Sequence, residues 1–473
     1  MGLPFSILLS YEYPQLNVDE ILDEEIRSDD HVFVVLDDDP TGVQCVHDVK
    51  VYTDWSLDSL KEAFANERLF FILTNSRAMS EAETTALHKQ IIERVSQAAR
   101  ICEKKYFFIS RGDSTLRGHY PLEMNILKKG LESDYGKVDG EILFPFFKEG
   151  GRYTINDVHY VKDNNELIPC GETEFAKDKT FGYTSSNLKE YIEEKTNGEI
   201  KKEDVISISL DDLRKADYKK ILNILMDVHD YQRVIVNAID YVDVKLFTAV
   251  FYEAIRRGKV FNIRSAASFV RCVGGINEKS LLRRSEMIKK DISNGGIVVV
   301  GSHTEKTTKQ LEELLKLEDT VGIEFQSSTV MYGNDTFVTE IKRCIAEEEN
   351  IIKQGKTAVV YTERELLSYE NDTPEEALAR SVKISKGVYL LVKGLEVEPS
   401  FVVAKGGITS ADVGVKGLGI KVARVLGQIE PGIPVWEADK DSKFPEIPYV
   451  IFPGNVGDED TLRKAVETLT NKE

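Results

Sequence analysis

Short apolar runs rich in Val, Ile and Phe recur along the chain, each ending in polar or glycine-bearing residues and often followed by a helical pattern. They cover His31–Leu36, Tyr106–Ser110, Glu141–Phe147, Arg233–Ala238, Gly296–Gly301, Thr357–Tyr361, Phe401–Ala404 and Tyr449–Phe452. Near-continuous apolarity, rather than alternation, is what a strand needs when helices cover both faces of its sheet. Strands alternating with helices therefore predict an α/β fold with largely parallel sheets. A charged segment, Glu278 to Lys290, reads as a helix closing at Ser293-Asn294-Gly295-Gly296 before a fresh strand, which marks a seam. The expected layout is an acidic extension over 1–30, one domain over 31–275, a linker helix over 276–295, and a second domain over 296–473. Within the first domain, Val161–Gly198 is polar and glycine-punctuated and reads as an excursion or flap.

A length of 473 residues is too great for one ordinary core and suits two or three domains. Lys and Arg total 61 against 80 Asp and Glu, a formal charge of −19. A field of that sign repels a phosphate backbone and argues against a nucleic-acid binder, while leaving room for an anionic ligand at a local cationic site. The cysteines, Cys45, Cys102, Cys170, Cys272 and Cys344, are scattered and form no C-x-x-C pair, which suits a reducing compartment rather than a disulfide or zinc framework. The apolar start Leu3–Leu9 is too short to span a bilayer and lacks the basic flank of a signal peptide, so a cytoplasmic protein without membrane attachment is expected.

In open parallel sheets, ligands bind beyond the carboxyl ends of the strands, so the residues just after each run carry the chemistry. After the first run comes Asp37-Asp38-Asp39-Pro40-Thr41-Gly42. Adjacent carboxylates repel one another unless a cation or donor compensates. The segment is either a solvated acidic turn or a site that binds a ligand hydroxyl and accepts its proton, with Asp38 and Asp39 the better candidates. Thr74-Asn75-Ser76-Arg77 follows a second run, and Ser110-Arg111-Gly112-Asp113-Ser114-Thr115-Leu116-Arg117-Gly118 a third. One arginine at a strand end is commonly an ion-pair partner. Three arginines with an Asp-Ser-Thr run suit a small polyol bearing a carboxylate, which a guanidinium fork grips at two points. His119 beside them is either a contact or a structural histidine. Glu149-Gly150-Gly151 reads as a turn.

The second half differs. Gly301-Ser302-His303-Thr304 precedes an amphipathic helix expected over Thr308–Leu317 and offers N–H groups and hydroxyls to a phosphate. Lys405-Gly406-Gly407-Ile408-Thr409-Ser410 opens another helix, with Thr409 and Asp412 spaced as a cap. Pro453-Gly454-Asn455-Val456-Gly457 leads to a helix for which Asp458 is the expected cap. Three such loops together point to a nucleotide. No G-x-x-x-x-G-K-[ST] is present, and Gly414–Gly419 is not a dinucleotide fingerprint.

In this order, Asp38-Asp39-Pro40-Thr41-Gly42, Arg111 to Gly118, Lys405 to Ser410 and Pro453 to Gly457 resemble the four-carbon acid sugar kinases, which include D-threonate, D-erythronate and 3-oxo-tetronate kinases. The resemblance runs from about residue 31 to the C-terminus. It implies two α/β domains with an active-site cleft between them, closing to exclude water. It also implies ATP and transfer to a terminal hydroxyl of a tetronate, a small sugar acid; Mg²⁺ is expected with the ATP because phosphate oxygens suit it. The acid-binding residues implied are Asp38, Arg77, Arg111, Gly112, Asp113 and Ser114, with Asp38 or Asp39 as the catalytic base. The ATP-binding residues implied are Ser302, Gly406, Gly407, Ile408, Thr409 and Gly454. Asp37 stands where the family usually has a small residue, and Arg111 where many members have lysine. A sugar-acid sensor on the same fold, or a kinase of another polyol or longer acid, would share these features. Oligomeric state is left open.

Overall fold

The computed structural model describes residues 2–14, 16–290, 292–365, 373–454 and 456–471. It divides into two compact units, Met1–Val46 with Asp54–Glu278, and His47–Thr53 with Lys279–Glu473.

The sheet of the first unit runs, in space, Ile206–Ile208, Gln232–Val236, Gly140–Phe144, Phe261–Ser265, Tyr106–Arg111, Val32–Asp37, Leu69–Leu73. Every neighbouring pair is parallel. The apolar runs are buried throughout, from Val32 to Leu36 and Leu69 to Leu73, so each Val, Leu or Phe contributes about 1.5–3 kcal/mol of transfer free energy. From Val32–Asp37 the chain moves outward to Leu69–Leu73, then crosses back to Tyr106–Arg111 on the opposite side. That reversal leaves a crevice at the carboxyl ends of adjacent strands. Register puts Asp37 opposite Arg111, and Arg111 opposite Ser265, on one level. The helix Glu81–Ile101 that follows starts at a capping box, with Ser80 and Glu83 bonding reciprocally.

The excursion is packed. Arg152–Ile155, Val158–Asp163 and Glu166–Pro169 form an antiparallel sheet, and Leu3–Pro4 adds to its edge. Behind it, buried Tyr183 and Tyr191 donate to the carbonyls of Thr115 (2.6 Å) and Leu116 (2.8 Å), while His159 Nε2 reaches that of Ser114 (2.8 Å). The segment therefore fixes the backbone of the arginine-bearing loop. Residues 18–27 form a helix capped by Asn17, tied through Asp19 to Lys245 and through Glu25 to Arg256.

The sheet of the second unit runs Lys50–Tyr52, Val422–Glu430, Ile433–Ala438, Pro448–Phe452, Val402–Lys405, Ile297–Val300, Thr357–Thr362, Thr320–Phe325. From Pro448–Phe452 onward the pairs are parallel, and the rest is antiparallel. The largely parallel α/β architecture thus holds, with an antiparallel addition that includes a strand from the N-terminal half of the chain.

Helix ends differ from expectation for identifiable reasons. Of Glu278–Lys290 only Arg284–Met287 is helical. Leu282 N–H bonds the Gln428 carbonyl at 2.8 Å, Lys279 Nζ bonds that of Leu426 at 2.9 Å, and Leu282 and Met287 enter the core. Sheet contacts thus override helix propensity. The helix expected at Thr308 starts at Glu305, capped by Thr304. Thr409 lies inside the helix Gly407–Asp412 rather than capping it. Asp458 does not cap the last helix, Thr461–Thr470; its own N–H donates to Thr461 Oγ1 at 2.7 Å. Among the described residues no helix is long and apolar enough to cross a membrane, and the five cysteines are free.

Candidate active site

In the first unit, strand ends and their loops bring together Asp37, Asp38, Asp39, Arg77, Arg111 and Asp113. Arg77 grips Asp38 at two points, Nε to Oδ2 at 3.2 Å and Nη2 to Oδ1 at 2.5 Å, and reaches Asp39 Oδ2 at 3.4 Å. Burial works against ionisation of Asp39, but Arg77 and the Thr41 bonds outweigh it and hold the carboxyl below its usual range. Asp39 Oδ1 accepts from Thr41 N–H (2.8 Å) and Oγ1 (2.6 Å), which leaves Oδ2 the less engaged oxygen. Burial pulls Asp38 upward against Arg77 and Arg264. Asp113 pairs with Arg117 Nε at 2.7 Å and accepts from Thr115; burial opposes its charge, and Arg77 and Arg117 prevail. Ser114 is buried and held by its carbonyl.

Asp37 behaves differently. It is 2% exposed, and burial, with the charges of Asp38 and Asp39 adding, pushes its carboxyl up to about 8 against the pull of Arg111. Arg111 is 4% exposed, approaches Asp37 only to 3.5 Å, and has no partner at Nε. At neutral pH this guanidinium is thus buried beside a carboxyl that is mostly neutral. Two results are expected. An unfolded chain ionises Asp37 in the ordinary carboxylate range, so between there and pH 8 the folded state holds the extra proton. Stability from this residue is full at acid pH and falls as pH rises to about 8, at about 1.4 kcal/mol per unit. Asp37→Asn should flatten that slope, leaving the melting temperature near wild type at pH 5 and raising it at pH 8.5. An unchanged slope in thermal melts across this range would refute the assignment.

Two residues here escape sequence reasoning. Arg264, at the end of Phe261–Ser265, donates from Nη1 to Ser110 Oγ (2.7 Å) and Glu123 Oε2 (2.5 Å). A Cβ at Gly112 would overlap its guanidinium, so this glycine serves close approach. Glu123 is 2% exposed, also accepts from Ser76 at 2.7 Å, and is held ionised by Arg264 against its burial. His119 is structural: its Nε2 lies 3.1 and 3.0 Å from the carbonyls of Ser76 and Met79. Glu149 likewise ties Tyr241, Cys45 and Arg271 together.

In the second unit, register aligns Val300 with Lys405 and Lys405 with Phe452, so the three glycine-bearing loops leave the sheet side by side. They line a cavity of about 330 Å³ that includes Ser302, Gly406, Gly407, Ile408, Thr409 and Gly454, a size that holds a small ligand. Its other wall, Thr362 with Arg380, Ile384, Ser385 and Val388 from the helix Pro374–Gly394, carries no sequence signal of its own. The Ser302 and Thr307 hydroxyls lie 3.1 Å apart beside the cavity. The Gly454 carbonyl accepts from Thr304, Thr307 and Lys405 at 3.4, 3.2 and 3.3 Å. Arg364 Nη2 holds the Ser302 carbonyl at 2.6 Å. Asn455 lies outside the described residues.

Two family models match, a sugar-binding N-terminal domain over 33–273 and a nucleotide-binding C-terminal domain over 297–462. No curated protein matches the chain. Among solved structures it is similar to Haemophilus influenzae protein HI1011, of the DUF1537 family, at 17% identity and a TM-score of 0.61 over 92% of this chain and 100% of that one. It is also similar to a provisionally named tRNA synthase of Salmonella typhimurium LT2, at 15% identity and a TM-score of 0.65 over 92% and 98%. At these identities the likeness is one of fold. The two matched regions together show that the chain belongs to the family that joins a sugar-binding N-terminal domain to a nucleotide-binding C-terminal domain.

Proposed function

We propose that this protein is an ATP-dependent kinase that phosphorylates a hydroxyl of a small, four-carbon sugar acid. The observation that carries the acid is Arg111. Its Nε has no partner and Asp37 comes no nearer than 3.5 Å, while ionised Asp39 acts on it only through space; a buried guanidinium so loosely paired is costly, and a substrate carboxylate would complete its pairing. The pairing of sugar-binding and nucleotide-binding domains supports phosphoryl transfer. In this reading Arg111, with the free N–H groups of Arg77, holds the carboxylate. Asp113 and Ser114 order hydroxyls against the backbone of Gly112. Asp39, or Asp38 behind it, orients the attacking hydroxyl and takes its proton. Phosphoryl transfer needs positioning and charge neutralisation more than covalent help.

The glycine loops and hydroxyls of Ser302 and Thr409 fit a polyphosphate, with Ile408 and Ile384 as apolar surface. Among the described residues no cluster of His, Cys, Asp or Glu could cage a metal. Magnesium would therefore ride on phosphate oxygens, where it neutralises charge.

The test is ADP release from ATP across a panel of tetronates and pentonates. Turnover with a four-carbon acid, and weaker turnover with longer ones, is expected. Acids that stabilise the protein without turnover would identify a sensor instead, and preference for a longer acid or neutral polyol would reassign the substrate. Arg77→Ala should raise the acid KM roughly tenfold to a hundredfold, the scale of a lost charge-assisted bond, with nucleotide affinity nearly unchanged. Equal loss of both would contradict the assignment. Above pH 8, ionised Asp37 should neutralise Arg111 and raise the acid KM, and Asp37→Asn should abolish that rise.

A further inference from the structure

Lys405 ends the strand Val402–Lys405 and is fully buried. Its ammonium donates to the carbonyl of Pro453 at 2.5 Å and that of Gly454 at 3.3 Å, and lies 4.2 Å from the ring centroid of Phe452. No carboxylate among the described residues pairs with it. Two carbonyl dipoles and an aromatic face do not replace a counter-ion for an ammonium out of water. A lysine whose only task was to pin a turn would be cheaper with an acid beside it, and this one stands at the base of the loops that line the cavity.

Resting on the nucleotide reading of that cavity, we propose that Lys405 takes up the positive charge that answers the polyphosphate of the bound nucleotide, acting through the Pro453–Gly454 turn rather than by touching the ligand. It is a positioning residue. Its Nζ keeps the two carbonyls turned inward, so once it is protonated the turn passes its field to the cavity.

The charged groups around it agree. Lys306, on the helix Glu305–Leu314, pushes against it. His303 and Arg364, near the cavity, add no negative charge, and burial holds both below their usual ranges; Glu365 lines the cavity but is not among the groups that act on Lys405. Asp412, on the helix Gly407–Asp412, is engaged by Lys416 at 2.6 Å and by Ser385. Burial, with Lys306 adding, brings the Lys405 ammonium down to about 7. At pH 8 the free protein therefore holds Lys405 largely neutral, and an arriving anion draws a proton onto it.

The experiment is calorimetric titration of the full-length protein at pH 8 with ATP and with adenosine, in buffers of different ionisation enthalpy, for wild type, Lys405→Met and Lys405→Arg. Wild type should take up most of one proton with ATP and almost none with adenosine. Lys405→Met should lose that uptake and at least tenfold in ATP affinity, while adenosine affinity changes less than threefold. Lys405→Arg, charged throughout, should bind ATP without uptake. Equal losses for ATP and adenosine in Lys405→Met would show a merely structural lysine, and ATP binding to wild type without proton uptake would overturn the proposal that the nucleotide draws a charge onto Lys405. Should Lys405→Met fail to fold, the wild-type and Lys405→Arg titrations decide alone. If wild type binds neither ligand, the nucleotide reading falls first and takes this proposal with it.

Discussion

Asp39→Asn should lower kcat by roughly two to four orders of magnitude, the usual contribution of a positioned general base, while acid and nucleotide affinities stay within about threefold. The reason lies in how the three neighbouring carboxyls divide. Asp37 keeps a proton to about pH 8, and a protonated acid cannot accept another. Asp38 is clamped at two points by Arg77 and is nearly inaccessible. Asp39 is held ionised by Arg77 and Thr41, and its side chain retains 21% exposure. It alone of the three is both charged and reachable. Asparagine keeps the shape and can still accept from Thr41, so binding survives while proton acceptance does not. Because its carboxyl is held below the usual range, no acid limb from Asp39 should appear in kcat within or above the ordinary carboxylate range. Steady-state kinetics with both substrates saturating checks this. A fall of less than threefold would remove Asp39 from the role and pass it to Asp38, whose asparagine variant should then show the loss.

The parallel strands were legible because a strand covered on both faces writes itself as an unbroken apolar run, as in Val32–Leu36 and Val298–Val300. The candidate loops were legible as strand-end segments, the place where such sheets bind ligands. What stayed hidden depends on distant partners. Lys50–Tyr52 pairs with Val422–Glu430 across most of the chain, and nothing local announces it. The Val422–Glu430 strand is interrupted by bulges at Val425/Gly427 and Gln428/Glu430, which break the alternation that would mark a hairpin. Arg264 ends a strand of mixed polarity, Phe-Asn-Ile-Arg-Ser, and its partners Ser110 and Glu123 lie far off in sequence. That Asp37 is held high while Asp39 is held low is likewise a property of burial and of which arginine reaches which oxygen. The spacing of residues does not contain it.

Gly406→Val should cost at least about a hundredfold in nucleotide affinity and leave acid binding intact. Gly406 has φ +119° and ψ 141°, a region open essentially to glycine, where any other residue is strained by about 1–3 kcal/mol. A Cβ there would also lie 3.2 Å from Ser302 Cβ, so the branches of valine press on the adjacent hydroxyl-bearing loop. The backbone must either carry that strain or turn Gly407 and Ile408 away from the ligand. Since about 1.4 kcal/mol is a factor of ten, strain alone reaches up to about a hundredfold, and the displaced loop adds to it. Gly406→Ala, which carries the strain without the branches, should fall between the two. Melting separates the effects: acid at about 100 times its Kd should still add roughly 2.7 kcal/mol of stability in both variants, whereas ATP should add progressively less from wild type through alanine to valine. Loss of acid and ATP stabilisation together would show that the substitution has unfolded more than the loop. Undiminished ATP stabilisation in the valine variant would show that the nucleotide binds away from this turn, and would overturn the assignment of the cavity.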